Sequence, residues 1–408
     1  MKYIDNLIIG GGLAGGYAAI ALRQNDLNSS VLIITAEQHL PYDRVPLSKD
    51  FLQGKVKRES LFIRKPDFYE KNKIEILTGK KVIDLEIKNN IAVLEDNTEI
   101  KFGKLLIATG GYPRKLNIEG SNKDNVFYLR NIEDSEKIRS AAINSKKAVI
   151  IGGGFIGCEI ASSLKKIGLD VTIIEKANSI LTLALDEETA KLIEEYFRKM
   201  GINIITGTSV KQFITKENKA IAVETETGKI INGDIFVVGI GIKINTELAE
   251  KAGININNGI IVNESLKTNY ENVFAVGDVA NFYHPLYETN MRVEHYDVAV
   301  RHGKIAGSNM AGLKASYTEL PYFFSYMYNL NIYSWGMIKG YDYVVKRGEL
   351  NVEKGFLQFY FKKGQMIAVL GVNTFKETEY ARKIIQNKKI IENPDLLSDK
   401  NVDLKNFV

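Results

Sequence analysis

Residues 3–16 read Tyr3-Ile4-Asp5-Asn6-Leu7-Ile8-Ile9-Gly10-Gly11-Gly12-Leu13-Ala14-Gly15-Gly16. An apolar, β-branched run meets a glycine turn. The Ala- and Leu-rich stretch Tyr17–Arg23 behind it has the make-up of a helix. Val31-Leu32-Ile33-Ile34 follows as a second buried strand. Strand, glycine turn, helix, strand is a βαβ unit. Gly10 permits the tight turn, Gly12 lets the backbone approach a pyrophosphate, and Gly15 lets helix and strand pack closely. The helix then turns its positive N-terminal end to the phosphates. Glu37, 22 residues past Gly15 and just beyond the second strand, is placed to accept hydrogen bonds from a ribose diol. A glycine turn with no ligand has the same local sequence, so the order of the flanking segments carries the assignment.

The pattern returns 142 residues later. Ala148-Val149-Ile150-Ile151 is the strand, Gly152-Gly153-Gly154-Phe155-Ile156-Gly157 the turn, Ile160–Ile167 the helix and Val171-Thr172-Ile173-Ile174 the second strand. Glu175 lies 18 residues past Gly157, at the strand end. A carboxylate there binds both ribose hydroxyls and repels a 2′-phosphate, which favours NADH over NADPH, although Lys176 beside it pulls the other way. An internal repeat of a whole nucleotide-binding unit predicts an α/β protein with two doubly wound, Rossmann-like domains and two bound dinucleotides. Leu105-Leu106-Ile107-Ala108-Thr109-Gly110-Gly111 is a strand ending in small residues, where a chain can cross close to a cofactor. Val273-Phe274-Ala275-Val276-Gly277-Asp278 is another, and its Asp278 can accept from a sugar-alcohol hydroxyl. Each alone is an ordinary turn; together and in this order they are hard to explain otherwise.

From about Tyr317 the composition changes. Tyr322-Phe323-Phe324-Ser325-Tyr326-Met327-Tyr328 is aromatic, Phe356–Phe361 is strand-like between the turns Lys354-Gly355 and Lys363-Gly364, and an amphipathic helix is expected near Glu377–Gln386. This reads as a smaller α+β domain. The boundaries expected are 1–112 with 246–316 for the first nucleotide domain, 113–245 for the second and 317–408 for the last.

Composition narrows the class. At about 150 residues per domain, 408 residues fit two to three domains. An apolar share of 45% and a charged share of 25% are ordinary for a globular protein and exclude a mainly disordered chain. No apolar run reaches the roughly 18 residues of a membrane span, and the acid at Asp5 and the early glycines do not fit a signal peptide. The expectation is a cytoplasmic protein with no membrane or nucleic-acid partner. With 54 basic and 49 acidic residues the net charge is +5, a mild positive field that suits an acidic protein partner. The one cysteine, Cys158, cannot make an internal disulfide, which excludes a redox-active cysteine pair. It follows the second turn, where a helix dipole can lower a thiol pKa, but a buried structural thiol is the expected role. His39, His284, His295 and His302 show no metal-ligand spacing, so no metal site is expected.

These motifs resemble the FAD-dependent pyridine nucleotide oxidoreductases, specifically the ferredoxin reductase type to which the putidaredoxin and rubredoxin reductases belong. The resemblance covers nearly the whole chain. It is carried by Gly10–Gly15, Leu40-Pro41-Tyr42-Asp43-Arg44-Val45-Pro46-Leu47-Ser48-Lys49, Ala108-Thr109-Gly110, Leu129-Arg130, Gly152–Glu159, Val238–Gly241, Gly277-Asp278 and Arg292-Val293-Glu294-His295. It implies that the first turn, with Leu13 and Ala14, binds FAD. The second, with Phe155, Ile156, Glu175 and Gly241, would bind NADH. It implies that Lys49 lies near flavin N5, paired with Glu159 as the catalytic pair, where a buried ammonium stabilises electron density on the reduced flavin. Arg44 and Arg130 resemble ligands of the adenosine and pyrophosphate end, Val82 the residue whose backbone meets the adenine, and Asp278 the ribityl ligand. Glu294 and His295 fall in the matching motif. Tyr296 and Phe324 match positions by the flavin, with plain core packing as the alternative. The chain departs from the family at Ala36, where an acid is common, at Ile244 and around Tyr326.

The implied activity is a flavoprotein reductase, monomer or homodimer, passing electrons from NADH through FAD to a small acidic carrier, a ferredoxin or rubredoxin. One alternative is an NADH-dependent reductase of a small acceptor such as a radical, a quinone or oxygen. Another is a redox-sensing interaction protein like apoptosis-inducing factor.

Overall fold

In the computed structural model, which describes residues 1–408, the Lys2–Ile9 strand lies between Val31–Thr35 and Glu99–Ile107 and runs parallel to both. Its last residues Leu7, Ile8 and Ile9 are at most 5% exposed, as expected of a strand covered on both faces. Ile74–Thr78 extends the sheet beyond Val31–Thr35. The nine-residue Glu99–Ile107 strand is long enough to take two partners besides Lys2–Ile9. Its first half pairs antiparallel with Ile91–Leu94, and its last residues pair parallel with Val273–Ala275. Helices Leu13–Asn25 and Tyr296–Met310 pack against each other through small residues. A Cβ on Gly303 would lie 2.4 Å from the Ala14 carbonyl oxygen and one on Gly307 2.2 Å from that of Ala18, so only glycine lets the two backbones come this close. These elements belong to the first of two compact units, residues 1–43, 59–112 and 243–321.

The second unit comprises residues 44–58, 113–242 and 322–408. It holds a five-stranded parallel sheet in the order Asn203–Ile205, Asp170–Ile174, Lys147–Ile151, Ile235–Val238, Val126–Tyr128. It also holds the antiparallel strands Val210–Lys216, Lys219–Thr225 and Ile230–Asn232. The chain ends in a five-stranded antiparallel sheet, in the order Tyr322–Met327, Leu330–Gly336, Gln365–Val372, Phe356–Lys362, Tyr343–Arg347, with the helix Phe375–Gln386 upon it. The molecule is therefore α/β with two doubly wound sheets and a smaller C-terminal α+β part. The expected turns at Gly355 and Gly364 both have φ +77°, the left-handed conformation glycine accepts without strain.

Two apolar clusters fill the second unit: one, with Val149, Phe213 and Phe236, joins the parallel sheet to the antiparallel strands that follow it, and the larger runs on into the C-terminal sheet. Ile150 and Ile173 of the parallel sheet, Leu164 of helix Phe155–Lys166, and Met327, Ile332 and Leu370 of the C-terminal sheet all belong to the larger. The helix of the second glycine turn is thus packed against the C-terminal sheet. Segment 44–58 joins the same cluster through Leu52. No helix is long and apolar enough to cross a membrane.

Candidate functional site

The two glycine turns obey the same constraints atom for atom. Gly10 N–H donates to the Ile34 carbonyl at 2.8 Å, and Gly152 N–H to that of Ile174 at 2.8 Å. Behind each first glycine stands the carbonyl of a strand end. A Cβ on Gly10 would meet Ala108 oxygen at 2.2 Å, and one on Gly152 would meet Gly239 oxygen at 2.3 Å. A Cβ on Gly15 or Gly157 would meet the first glycine's own carbonyl oxygen, at 2.0 Å in both turns. The fold itself demands these four glycines.

Gly12 and Gly154 are different. Their backbones, φ −78° and −75° in extended conformation, suit any residue, and a Cβ on either meets nothing within 4 Å. Nothing within the chain requires glycine there, whereas a pyrophosphate approaching the backbone does. Each is the N-cap of its helix, with no side-chain cap and no acid in the first turn. Every other α-helix carries an acid in its first turn, and two of them a side-chain cap as well. Asn131 makes a full capping box on Ile132–Ile143, and Asp186 caps Glu187–Lys199. A helix start left without a cap forgoes about 1 kcal/mol, which an anion on the free N–H groups and positive dipole end recovers. Both turns therefore fit a dinucleotide.

The carboxylates at the two turns are not equivalent. Glu175 directly follows Ile174, and its two oxygens accept from Gly153 N–H at 2.5 Å and Ala177 N–H at 2.7 Å. The counterpart of Ile174 in the first unit is Ile34, so the equivalent position is Thr35, whose side chain lies where a Cβ on Gly11 would sit. Glu37 is two residues further on, accepting from the buried Tyr42 hydroxyl at 2.5 Å. Ala36 beside it is exposed.

Within the first unit, Gly277 has φ +72° and packs against Ala14, which brings Asp278 to the first turn of helix Leu13–Asn25. Thr109 is fixed to Asn245 by a reciprocal pair, hydroxyl to carbonyl at 2.9 Å and amide to carbonyl at 3.0 Å. Gly110 has φ +57°. Val82 begins a strand that carries a β-bulge between Val82 and Asp84. His295 is the N-cap of helix Tyr296–Met310. Burial pushes its imidazole down to about 4 against the pull of Asp278. Tyr296 follows it, its phenol raised by burial and by Asp43. Glu294 is exposed and paired with Arg292.

Within the second unit, Arg44 donates to the Arg130 carbonyl at 2.9 Å, while Arg130 N–H is held by Asp134 at 2.9 Å, so the two arginines expected to share a ligand are neighbours. Lys49 and Glu159 form an ion pair at 2.7 Å, with side chains 14% and 6% exposed. The carboxylate takes more than the ammonium. Ser48 hydroxyl donates to Oε2 at 2.5 Å and Ser325 hydroxyl to Oε1 at 2.6 Å. Segment 44–58 is anchored beneath this group, since Ser163 hydroxyl donates to the Ser48 carbonyl at 2.7 Å and Ser135 hydroxyl to that of Leu47 at 2.7 Å. Phe155 packs against Phe323 at 5.1 Å between ring centroids, Ile156 is 47% exposed, and Gly241 lies in a left-handed turn at φ +90°. Phe324 sits between Tyr322 and Tyr326 in an aromatic row. Cys158 is fully buried with its thiol against the Gly153 carbonyl at 3.4 Å. Burial, then Glu159, Glu175 and Glu194, raise it far above the reactive range.

Sequence reasoning missed Ser325, Asn245 and the role of Ser48. Ser325 is 166 residues from Glu159, and no local spacing announces such a contact. Strand alternation does place it on the face opposite Phe324 and Tyr326, a polar residue turned inward.

The family described as Pyridine nucleotide-disulphide oxidoreductase matches residues 4–303, and that described as Reductase C-terminal matches residues 322–408. Putidaredoxin reductase CamA of Pseudomonas putida is 33% identical over 414 residues, covering 100% of this chain and 98% of its own length. Rhodocoxin reductase of Rhodococcus erythropolis is 33% identical over 400 residues, covering 98% of this chain and 93% of its own length. Among solved structures, the covalent putidaredoxin reductase–putidaredoxin complex matches with a TM-score of 0.96 at 32% identity, over 100% of this chain and 98% of that one.

Proposed function

Because this chain belongs to the pyridine nucleotide-disulphide oxidoreductase family, we propose that it passes electrons from a reduced nicotinamide dinucleotide, by way of FAD, to a small one-electron carrier protein of the ferredoxin or rubredoxin class. The observation that carries this reading is the pair of matched turns, each with a glycine the fold does not need at an uncapped helix start. Residues 1–112 with 246–316 are read as the FAD-holding part, 113–245 as the nicotinamide-holding part and 317–408 as the carrier-facing part.

Gly10, Gly12, Leu13, Ala14 and Gly15 would hold the FAD pyrophosphate, with Glu37 at its ribose and Asp278 at its ribityl chain. Gly152, Gly154, Phe155, Ile156, Gly157 and Gly241 would hold the nicotinamide dinucleotide. FAD held at the first turn would supply the chemistry of two-electron hydride acceptance and one-electron release. The chain's own part is orientation and electrostatics. Lys49 would offer a positive charge to the electron-rich reduced ring, and Glu159 offsets the cost of burying that charge. Glu175 selects NADH, because a 2′-phosphate would meet its carboxylate at close range. The one buried cysteine offers no dithiol, so a disulfide plays no part in the electron path.

Anaerobic titration of the purified yellow protein with NADH tests the reading. The flavin band should bleach with one equivalent, and reduced ferredoxin or rubredoxin should then appear faster than a quinone or oxygen is consumed. A protein that is colourless after gentle purification, or one that reduces quinone but none of the carriers, overturns it.

A further inference from the structure

The C-terminal sheet reaches into the Lys49–Glu159 pair through a single hydroxyl. Ser325 lies in strand Tyr322–Met327 and is 1% exposed. It donates to Glu159 Oε1 at 2.6 Å, while Ser48 and Lys49 both address Oε2, at 2.5 and 2.7 Å. The two carboxylate oxygens are thus served from different parts of the chain. Oε2 belongs to segment 44–58 and Oε1 to the C-terminal sheet. A carboxylate on a side chain that is 6% exposed has little water to replace a lost donor. Without Ser325, Glu159 must turn to satisfy Oε1, and turning moves Oε2 away from Lys49. Ser325 itself is backed by the strand register, in which Ser325 faces Ile332 of the next strand.

We propose that Ser325 is a positioning residue, by which the C-terminal domain fixes the rotamer of Glu159 and so holds the Lys49 ammonium in place for hydride transfer. This rests on the reading of Lys49–Glu159 as the pair that tunes the flavin. The serine makes no contact with cofactor or substrate in this scheme. It acts through Glu159, and Lys49 is the group that responds.

The test compares Ser325→Ala, Ser325→Thr, Lys49→Met and the double variant Ser325→Ala/Lys49→Met in the flavin-loaded protein. The readouts are the flavin midpoint potential and the rate of flavin bleaching by NADH in single turnover. Loss of one hydrogen bond to a buried charged group predicts a rate about tenfold lower in Ser325→Ala, with the potential shifted toward that of Lys49→Met. KM for NADH should stay unchanged. Ser325→Thr, which keeps the hydroxyl, should restore both readouts. In the Lys49→Met background, Ser325→Ala should change neither further, because the group it positions is gone. If Ser325→Ala fails to retain flavin, Ser325→Cys, close in volume with a weaker donor, is measured instead and should shift both readouts in the same direction. A Ser325→Ala protein with wild-type potential and rate, beside a shifted Lys49→Met, overturns this inference alone. If Lys49→Met also leaves the potential unmoved, the assignment of the pair to the flavin fails, and the inference with it.

Discussion

At Glu175 a carboxylate is held at both oxygens by backbone N–H groups of Gly153 and Ala177, in the place proposed above for the ribose of the nicotinamide dinucleotide. Replacing it with serine removes the charge that a 2′-phosphate would face, along with the carboxylate oxygens that accept from Gly153 and Ala177 N–H. The expected outcome for Glu175→Ser is a fall of about tenfold or more in the kcat/KM preference for NADH over NADPH, read from initial rates with each donor. An unchanged ratio would remove Glu175 from the specificity argument. Three histidines of the first unit make a second residue-scale prediction. Burial lowers His295 to about 4 and His302 to about 3, and it lowers His284 as well. His302 is enclosed by the rings of Phe282 and Tyr317, each 4.5 Å away between centroids, and its proton uptake is further opposed by His284. The unfolded chain titrates these groups near 6.5 and therefore binds more protons than the folded chain below that value. Their stabilising contribution is whole above about pH 6.5, declines as the pH falls, and is gone below about 3. Denaturant midpoints between pH 7 and 4 should fall. His302→Phe, which keeps the ring contacts and removes the titration, should fall less steeply.

Between elements of the first unit, helices Leu13–Asn25 and Tyr296–Met310 approach each other backbone to backbone. Gly303 and Gly307 lie on one face, and each would drive a Cβ into a backbone oxygen, so neither can be relieved by a side-chain rotation. Gly307→Val should cost about 3 kcal/mol and lower Tm, with FAD released on the same transition because Ala14 lies on both the helix contact and the first turn. Thermal scans followed by flavin fluorescence check this; a variant that melts at the wild-type temperature would show that the helices can separate freely. The same contrast between local and distant constraint explains what could be read beforehand. The glycine turns, the strands beside them and the C-terminal hairpins were legible because each is decided within about ten residues by apolar patterning and by glycines at fixed offsets. The Glu159 contacts were half legible. Lys49 and Glu159 could be picked out by resemblance, but Ser325 meets Glu159 only after the antiparallel sheet has packed on helix Phe155–Lys166. Nor could the sequence alone place segment 44–58 with the second unit, since its anchors are Ser135 and Ser163, hydroxyls unremarkable in their own helices.

Across the whole chain, one thiol and a small positive charge set the remaining expectations. Cys158 is enclosed and its thiol strongly raised, so Cys158→Ala should keep its full rate of carrier reduction and lose no more than about 1 kcal/mol of stability. A loss of turnover with stability intact would instead reveal a reactive role. The net charge of +5 concerns encounter rather than chemistry. Ferredoxins are generally acidic, and opposite net charges raise the association rate through a field that salt screens over a Debye length of about 10 Å at 0.1 M. The hydride step takes place within a bound complex and does not feel that screening in the same way. Raising ionic strength from about 50 to 500 mM should therefore lower kcat/KM for an acidic carrier severalfold and leave kcat/KM for a neutral quinone nearly flat. Steady-state rates with both acceptors on one preparation separate the effects. Equal salt dependence for carrier and quinone would place it in NADH binding or in the flavin. Salt dependence confined to the carrier would mean that the positive residues act on the approaching protein.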